Sequence, residues 1–447
     1  MSTDARQAAA DALCAVDRGA YSELYLASAI RKAELDRRDA ALCTAICGGV
    51  LRNRAYLDFR ISACSAIKLN KIAPRILNIL RAAAFQILYL DRVPDSAAVN
   101  AAVTQAKRAG GGRSAGFVNA VLRRLSREKD APPELDRSDE VQYLSILYSH
   151  PAWLVRRFLD VLGREETEKL LEIDNTPAPV IARVNTLRAD AAEVMESLSE
   201  EDVEASPHPF LPDALILSRT GSIDALKAYQ AGLFTVQDSA SQLCALALDP
   251  AAGASVLDVC AAPGGKSFAC AALMHGRGRI VACDLHAQRA VLIAQGAERL
   301  GISCIEAKQA DGTQFHPAWE KAFDYVLVDA PCSGIGVIRR KSEIRYKDEA
   351  SLAALPETQR AILANASRYV KPGGVLVYST CTLFREENEE VYKDFLDKNG
   401  DFSPCDFTLP GVGASENGML TLWPQRAGTD GFFVSKMRRQ DAESSRS

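Results

Sequence analysis

The sequence predicts a multidomain fold: an all-α bundle at the front, a small α+β subdomain, then a doubly wound α/β domain. Three observations carry this. From Thr3 to about Arg127 apolar residues recur at three- and four-residue spacing, the period of a helix with one buried face. Glu128–Glu140 (EKDAPPELDRSDE) combines two prolines with dense charge, the composition of a linker. After Gly253 short β-rich runs alternate with helical ones, the signature of a mostly parallel sheet. The boundaries read 1–130, 141–250 and 251–437. A chain of 447 residues is too long for one ordinary core.

In the first region, helical runs fall at Ala8–Val16, Ala41–Val50, Ile76–Leu90 and Phe117–Leu125, with breaks at Gly19, Asn70–Lys71, Pro94 and Gly110–Gly112. Arg75–Leu90 is apolar nearly all round, as a central bundle helix would be. Arginines at 52, 54, 60, 123 and 124 border the apolar faces. In the middle region, Ser149-His150-Pro151 predicts a turn before an amphipathic helix from Trp153 to Asp174. Strands are expected at Val180–Val184, Ala214–Leu217 and Leu233–Val236. In the last region, strands are expected at Ser255–Val259, Arg279–Cys283, Ser303–Ala307, Tyr325–Val328 and Gly374–Ser379. Helices are expected at Ser267–His275, Ala287–Leu300, Ala354–Val370 and Glu387–Lys398. Arg438–Ser447 is polar and expected to fray.

Composition is ordinary for a globular protein, with 48% hydrophobic and 25% charged residues. No apolar run reaches the length of a membrane span, and the start lacks the apolar core of a signal peptide. A cytoplasmic location is the expectation. Twelve cysteines contain no Cys-x-x-Cys pair, and the five histidines are scattered, so neither a metal site nor a disulfide framework is expected. Cys43 and Cys47 read as buried thiols in a helix. The net charge of −4 hides an asymmetry: residues 1–130 carry 21 basic and 12 acidic residues, the remainder 32 and 45. A basic segment of +9 joined to a remainder of −13 fits an appended nucleic-acid-binding module. It fits equally a set of well-solvated helices.

In an open α/β sheet, ligands bind beyond the carboxyl ends of the strands, near the point where strand order reverses. Val256-Leu257-Asp258-Val259 runs into Cys260-Ala261-Ala262-Pro263-Gly264-Gly265-Lys266. The small residues let a ligand approach the backbone. The spacing matches neither a phosphate-binding P-loop nor a full G-x-G-x-x-G. Asp284 closes the second strand where an acid would accept ribose hydroxyls; Asp311 follows the third and is suited to an adenine amino group; Asp329 ends the fourth. Singly, each could be a turn residue. Together, they point to a nucleoside site.

Two thiols follow strand ends on the same side of this sheet: Cys332 in Asp329-Ala330-Pro331-Cys332-Ser333-Gly334, and Cys381 in Tyr378-Ser379-Thr380-Cys381-Thr382. A thiolate suits one chemistry well. Adding it to C6 of a cytosine makes C5 enamine-like, so C5 can attack an electrophilic methyl; loss of the C5 proton and elimination of the thiol follow. An acid such as Asp329 would stabilise the charge developing on the ring. The base must be flipped out or single-stranded. Chemistry alone does not say which thiol attacks.

Cys260–Lys266, Asp329–Gly334 and Ser379–Asn388 (STCTLFREEN) resemble the signature motifs of the Nol/Nop/Sun family of RNA cytosine-C5 methyltransferases. Phe234–Ser241 (FTVQDSAS) and Thr429–Phe433 (TDGFF) match as well. The first 130 residues, notably Gly116–Arg124 (GFVNAVLRR), are similar to the NusB-type helical RNA-binding domain. The resemblance implies a Rossmann-like class I methyltransferase domain using S-adenosyl-L-methionine. Its cofactor residues map onto Cys260, Ala261, Ala262, Pro263, Gly264, Gly265, Lys266, Asp284, Asp311 and Asp329. It implies that Cys381 is the nucleophile and that Cys332 assists product release; DNA cytosine methyltransferases use the Pro-Cys thiol instead. It further implies a monomer acting on 16S rRNA before the small subunit is fully assembled. One departure is Ser333-Gly334-Ile335-Gly336, where many relatives read Ser-Ala-Thr-Gly. Arg52, Arg54, Arg123, Arg124 and Arg183 are the candidate RNA contacts, with ordinary surface charge as the alternative. Two other readings stay open: the same chemistry on tRNA, and a non-catalytic RNA-binding or antitermination scaffold. The intact cysteine pair and strand-end carboxylates weigh against the scaffold.

Overall fold

The computed structural model describes residues 4–19 and 22–441. Their contacts form two units: one runs to Pro177 and includes Ile338–Lys347, and the other holds Ala178–Val337 and Asp348 onward.

The first unit is helical: α1 (Ala5–Val16), α2 (Ser22–Lys32), α3 (Arg37–Arg52), α4 (Arg54–Cys64), α5 (Pro74–Tyr89), α6 (Asp95–Arg127), α7 (Glu140–Leu147) and α8 (Ala152–Asp174). Asp4 and Asp36 cap α1 and α3 by accepting from the backbone N–H of Gln7 and Asp39. Pro74 opens α5 at the position where its missing N–H costs nothing. As its pattern predicts, α5 is buried nearly all round, from Ile76 and Ile79 to Phe85 and Ile87. The glycine break falls inside α6, where Gly111 leaves helical geometry at φ 75°. Ile338–Lys347, although flanked by segments of the other unit, packs here. Its Arg345 is fully buried and donates to the carbonyls of Arg52 (3.0 Å), Ser149 (3.2 Å) and Asp174 (3.2 Å) and to Asn175 Oδ1 (2.8 Å).

The second unit opens with a four-stranded antiparallel sheet of β1 (Val180–Val184), β2 (Glu204–Pro207), β3 (Ala214–Ser218) and β4 (Phe234–Val236), in the order β2-β3-β1-β4. α9 (Ala191–Ser199), started by an Asp190–Glu193 capping box, and the short α10 (Lys227–Gln230) complete it. α11 (Ser239–Leu248), capped by Asp238, leads into the large sheet.

There the alternation predicted from sequence is present: β5 (Ser255–Asp258), α12 (Gly265–Leu273), β6 (Arg279–Asp284), α13 (Ala287–Leu300), β7 (Ile305–Gln309), β8 (Phe323–Asp329), α14 (Leu355–Ser367), β9 (Val370–Thr380) and α15 (Glu389–Lys398). The chain ends with β10 (Phe402–Pro404), the small pair β11 (Thr408–Leu409) and β12 (Gly413–Ala414), β13 (Met419–Leu422), α16 (Pro424–Ala427) and β14 (Phe432–Arg439). The order is β10-β14-β9-β8-β5-β6-β7, with β13 on β14. β5 to β9 are parallel; β14 pairs antiparallel with β9. The chain winds outward from β5 in both directions, so the switch point lies between β5 and β8, where ligand sites form.

Some boundaries move. The expected strand 303–307 sits at Ile305–Gln309, because Gly301 ends α13 at φ 69° and 302–304 turn the chain. The expected helix 354–370 stops at Ser367, and Val370 begins β9. Arg438 and Arg439, expected to fray, pair with Val375 and Phe402; 442–447 lie outside the described residues. No helix among the described residues is long and apolar enough to cross a membrane.

Candidate active site

The site is built on the carboxyl ends of β5, β6, β8 and β9. At the end of β5, Asp258 is buried and accepts from Ser267 Oγ at 2.6 Å. Burial pushes its carboxyl up to about 7, against the Ser267 hydrogen bond. The Cys260–Lys266 turn follows. Its Ala261 N–H donates to Cys283 O on β6 at 2.7 Å, and burial holds the Cys260 thiol well above its ordinary range. Gly264 sits at φ 112°, and a Cβ there would lie 2.3 Å from the Phe268 ring. Only glycine fits, and the turn's backbone stays bare.

Lys266, at the start of α12, reaches back to Asp329 Oδ2 at 2.8 Å and lies 5.0 Å from the Phe432 ring centroid. Burial opposes its charge, yet Asp329 beside it holds its pKa above the ordinary lysine value. Asp329 Oδ1 accepts from Ser379 Oγ at 2.9 Å, which joins the ends of β8 and β9. Asp284 closes β6, accepts from the His286 N–H at 3.0 Å and pairs with Arg289 at 3.2 Å. Arg289 also donates to Ala262 O at 3.1 Å, tying this acid to the turn. Asp311 lies two residues beyond β7. It accepts from Thr313 N–H and Oγ1, which lower its pKa. It lines a cavity of about 170 Å³ with Val259, Gln309, Phe315 and Trp319. The structure therefore gathers Asp284, Asp329 and the turn, with Asp311 at the neighbouring cavity.

The two predicted thiols meet: Cys332 Sγ and Cys381 Sγ are 3.1 Å apart. The register explains it, since Asp329 on β8 faces Ser379 on β9 and each cysteine follows within three residues. The Cys381 thiol and burial hold Cys332 well above the ordinary thiol range. The loops are also joined by Ser333 Oγ and Thr382 Oγ1 at 2.6 Å, and by Gly336 N–H to Cys381 O at 3.0 Å. A Cβ on Gly336 would fall 2.1 Å from Gly431 O. This seats the loop that departs from its relatives against the Thr429–Phe433 motif, and the glycine that fits there is retained.

All twelve cysteines are free, and burial lifts Cys43 and Cys47 to about 11 and about 12. Among the candidate RNA contacts, Arg123 is exposed and Arg124 pairs with Glu128 at the surface. Arg52 is half-buried. Arg54 pairs with Asp17 at 2.7 Å and lies over Tyr346. Arg183 corrects the expectation: it is 7% exposed and donates to Gln237 Oε1 (2.7 Å) and Phe268 O (3.3 Å), so it braces the unit's interior. Sequence reasoning gave no role to Glu387, Gln359 or Arg289. Glu387 was visible only as part of the STCTLFREEN motif; Gln359 and Arg289 carry no sequence signal, because each is defined by what it reaches across the fold.

The fold and this set of groups define a Rossmann-like methyltransferase domain with a mixed sheet, preceded by a helical domain. The family model described as 16S rRNA methyltransferase RsmB/F matches residues 245–438. The NusB family model matches 3–127, and a ferredoxin-like domain of RsmF/B-like methyltransferases matches 150–224. A protein of Bacillus subtilis (strain 168) named probable ribosomal RNA small subunit methyltransferase B is 39% identical over 98% of this chain and 99% of its own. An Escherichia coli O1:K1 / APEC protein named ribosomal RNA small subunit methyltransferase B is 32% identical over 90% of each chain. The crystal structure of a methyltransferase homolog protein from Pyrococcus horikoshii is similar at 28% identity and a TM-score of 0.57, covering 68% of this chain and 99% of that one. The chain belongs to the 16S rRNA methyltransferase RsmB/F family, with a NusB domain at its front.

Proposed function

We propose that the protein transfers a methyl group from S-adenosyl-L-methionine to C5 of a cytosine in 16S rRNA, through a covalent adduct between Cys381 and C6. The observation that carries this reading is the thiol pair at 3.1 Å beside Asp329. The residues present fit the cofactor: the bare Gly264 turn, the Asp284 carboxylate at the end of β6 and Asp311 at the adjoining cavity are the groups that would hold a nucleoside. Bound there, it supplies an electrophilic methyl.

The chain's own groups divide the remaining work. Attack on C6 goes to Cys381, as the resemblance of its Thr-Cys motif to the family's nucleophile implies, and Cys332, whose sulfur lies 3.1 Å away, is left as the assisting thiol. Asp329, clamped by Lys266 and Ser379, faces the charge that develops at N3 and the exocyclic amine. After C5 is methylated its proton passes to a water molecule, the C5–H electron pair re-forms the C5=C6 double bond, and the Cys381–C6 bond breaks with its electrons leaving on sulfur as the thiolate. Cys332 is placed against the same sulfur to assist that elimination. Its RNA substrate is reached through the basic NusB domain, with exposed Arg123 and Arg124 as candidate contacts.

Two variants test the thiol roles. Cys381→Ala should lower turnover by at least about 10³-fold while cofactor affinity is kept, on the scale of losing a covalent nucleophile. Cys332→Ala should accumulate a protein–RNA adduct that survives denaturing electrophoresis. Near-normal turnover in the first, or only free protein in the second, overturns the corresponding role.

A further inference from the structure

Both thiols sit on loops, and a loop left to itself does not hold two sulfurs in contact. We propose that Glu387 and Asn388, consecutive residues just before α15, are positioning residues with separate tasks: Glu387 sets the Cys332 loop and Asn388 sets the Cys381 loop. The assignment rests on the thiol roles proposed above.

Both side chains are 1% exposed. Glu387 Oε2 accepts from the Ser333 N–H at 2.9 Å and from Gln359 Nε2 at 2.8 Å. Gln359 Nε2 donates also to Pro331 O at 2.9 Å. The residues before and after Cys332 are therefore both fixed to Glu387, one directly and one through Gln359. Asn388 does the same for the other thiol. Its Oδ1 accepts from Thr380 Oγ1, and its Nδ2 donates to Thr382 O at 3.0 Å. Tyr378 donates to the carbonyl of Glu387 and holds the backbone of the pair.

A structural post does not require an acid here. Burying a carboxyl group is costly, and Glu387 Oε1 is buried with no hydrogen-bond partner. What the acid gains is a strong acceptor for two donors at one oxygen, in the position that fixes Cys332. A displacement of about 1 Å in a reacting group costs on the order of 10²-fold in rate, so loss of either bracket should act on one step rather than on folding in general.

The experiment uses the full chain with unmethylated 16S rRNA and labelled S-adenosyl-L-methionine, and reads turnover, cofactor Kd and adduct retained on denaturing gels. Glu387→Ala should accumulate adduct as Cys332→Ala does, with turnover down about 10- to 100-fold and cofactor Kd unchanged. Asn388→Ala should give no adduct, as Cys381→Ala does. Glu387→Gln keeps a carbonyl oxygen for both donors, a weaker acceptor than the carboxylate, and should release product at a rate between those of wild type and Glu387→Ala. Should Glu387→Ala not fold, Gln359→Leu removes the brace on Pro331 and should accumulate adduct to a lesser degree. Glu387→Ala and Asn388→Ala failing alike, Glu387→Ala or Gln359→Leu without adduct, or Glu387→Gln no better than Glu387→Ala would overturn the assignment. If Cys332→Ala itself gives only free protein, the thiol roles fail and this assignment falls with them. If the cysteine variants behave and the neighbours do not separate, only the bracket is wrong.

Discussion

Asp258 closes β5 with one carboxyl oxygen held by Ser267 and the other buried without a partner. Its pKa is pushed up to about 7 by burial, with Asp329 adding to the rise and Lys266 opposing it. The folded state therefore keeps a proton that an unfolded aspartate releases near pH ~4. Where the native state binds more protons, stability falls as pH rises; here that window runs from about 4 to about 7, and the penalty is constant above it. Asp258→Asn removes the titration. Measured by urea unfolding, the variant should gain on the wild type between pH 5 and pH 8 by on the order of 1–3 kcal/mol. A variant that loses ground over that interval contradicts the buried, proton-retaining Asp258. At this scale the sequence was informative where chemistry is periodic with the fold. Strand-end Asp284 and Asp329 and the two cysteines could be placed because each closes or follows a recognisable strand. Arg183 misled, because a basic residue in a short strand looks the same whether it faces solvent or Gln237.

Elements were legible in proportion to the length and regularity of their patterns. α5, buried nearly all round, and α13, with Ala287–Leu300 recovered end to end, are long and strongly patterned. β10, β13 and β14 were missed: β14 reads FFVSKMRR, whose basic end imitates a frayed tail until Arg439 meets Asp401 and Phe402. Ile338–Lys347 was missed for another reason. Nothing local marks a segment as belonging to a distant unit; that is decided by Arg345, whose guanidinium satisfies carbonyls from three separate helix ends. Arg345→Met keeps the bulk of the stem and leaves those carbonyls unpaired, a loss of about 3–5 kcal/mol on the scale of broken buried polar networks. Hydrogen exchange across 148–175 should accelerate strongly in the variant. Protection unchanged from wild type would show that the buried arginine is replaceable.

For the whole molecule, the charge division of +9 over residues 1–130 and −13 over the rest coincides with a division of labour: a basic NusB domain and an acidic remainder holding the methyltransferase domain. The acidic excess is carried almost wholly by residues 131–250, at −12, while 251–447 net only −1, so the proposed attraction of RNA falls to the basic domain and not to the near-neutral methyltransferase domain. The domain order was legible from the helical periodicity, the proline-rich linker and the strand–helix alternation, and the methyltransferase class from the resemblance carried by the Cys260–Lys266, Asp329–Gly334 and Ser379–Asn388 motifs. The hydrogen bonds around Cys332 and Cys381 were not, since Glu387 and Asn388 reach back across their own motif and Gln359 comes from α14. The proposed reaction is the transfer of a methyl group to C5 of a cytosine in 16S rRNA. It is tested most directly by incubating the purified protein with tritium-labelled S-adenosyl-L-methionine and unmodified 16S rRNA, then separating the nucleosides. Label should appear in 5-methylcytidine from the rRNA. Label in another nucleoside, label only when tRNA is supplied, or no incorporation by a protein that still binds the cofactor would contradict it.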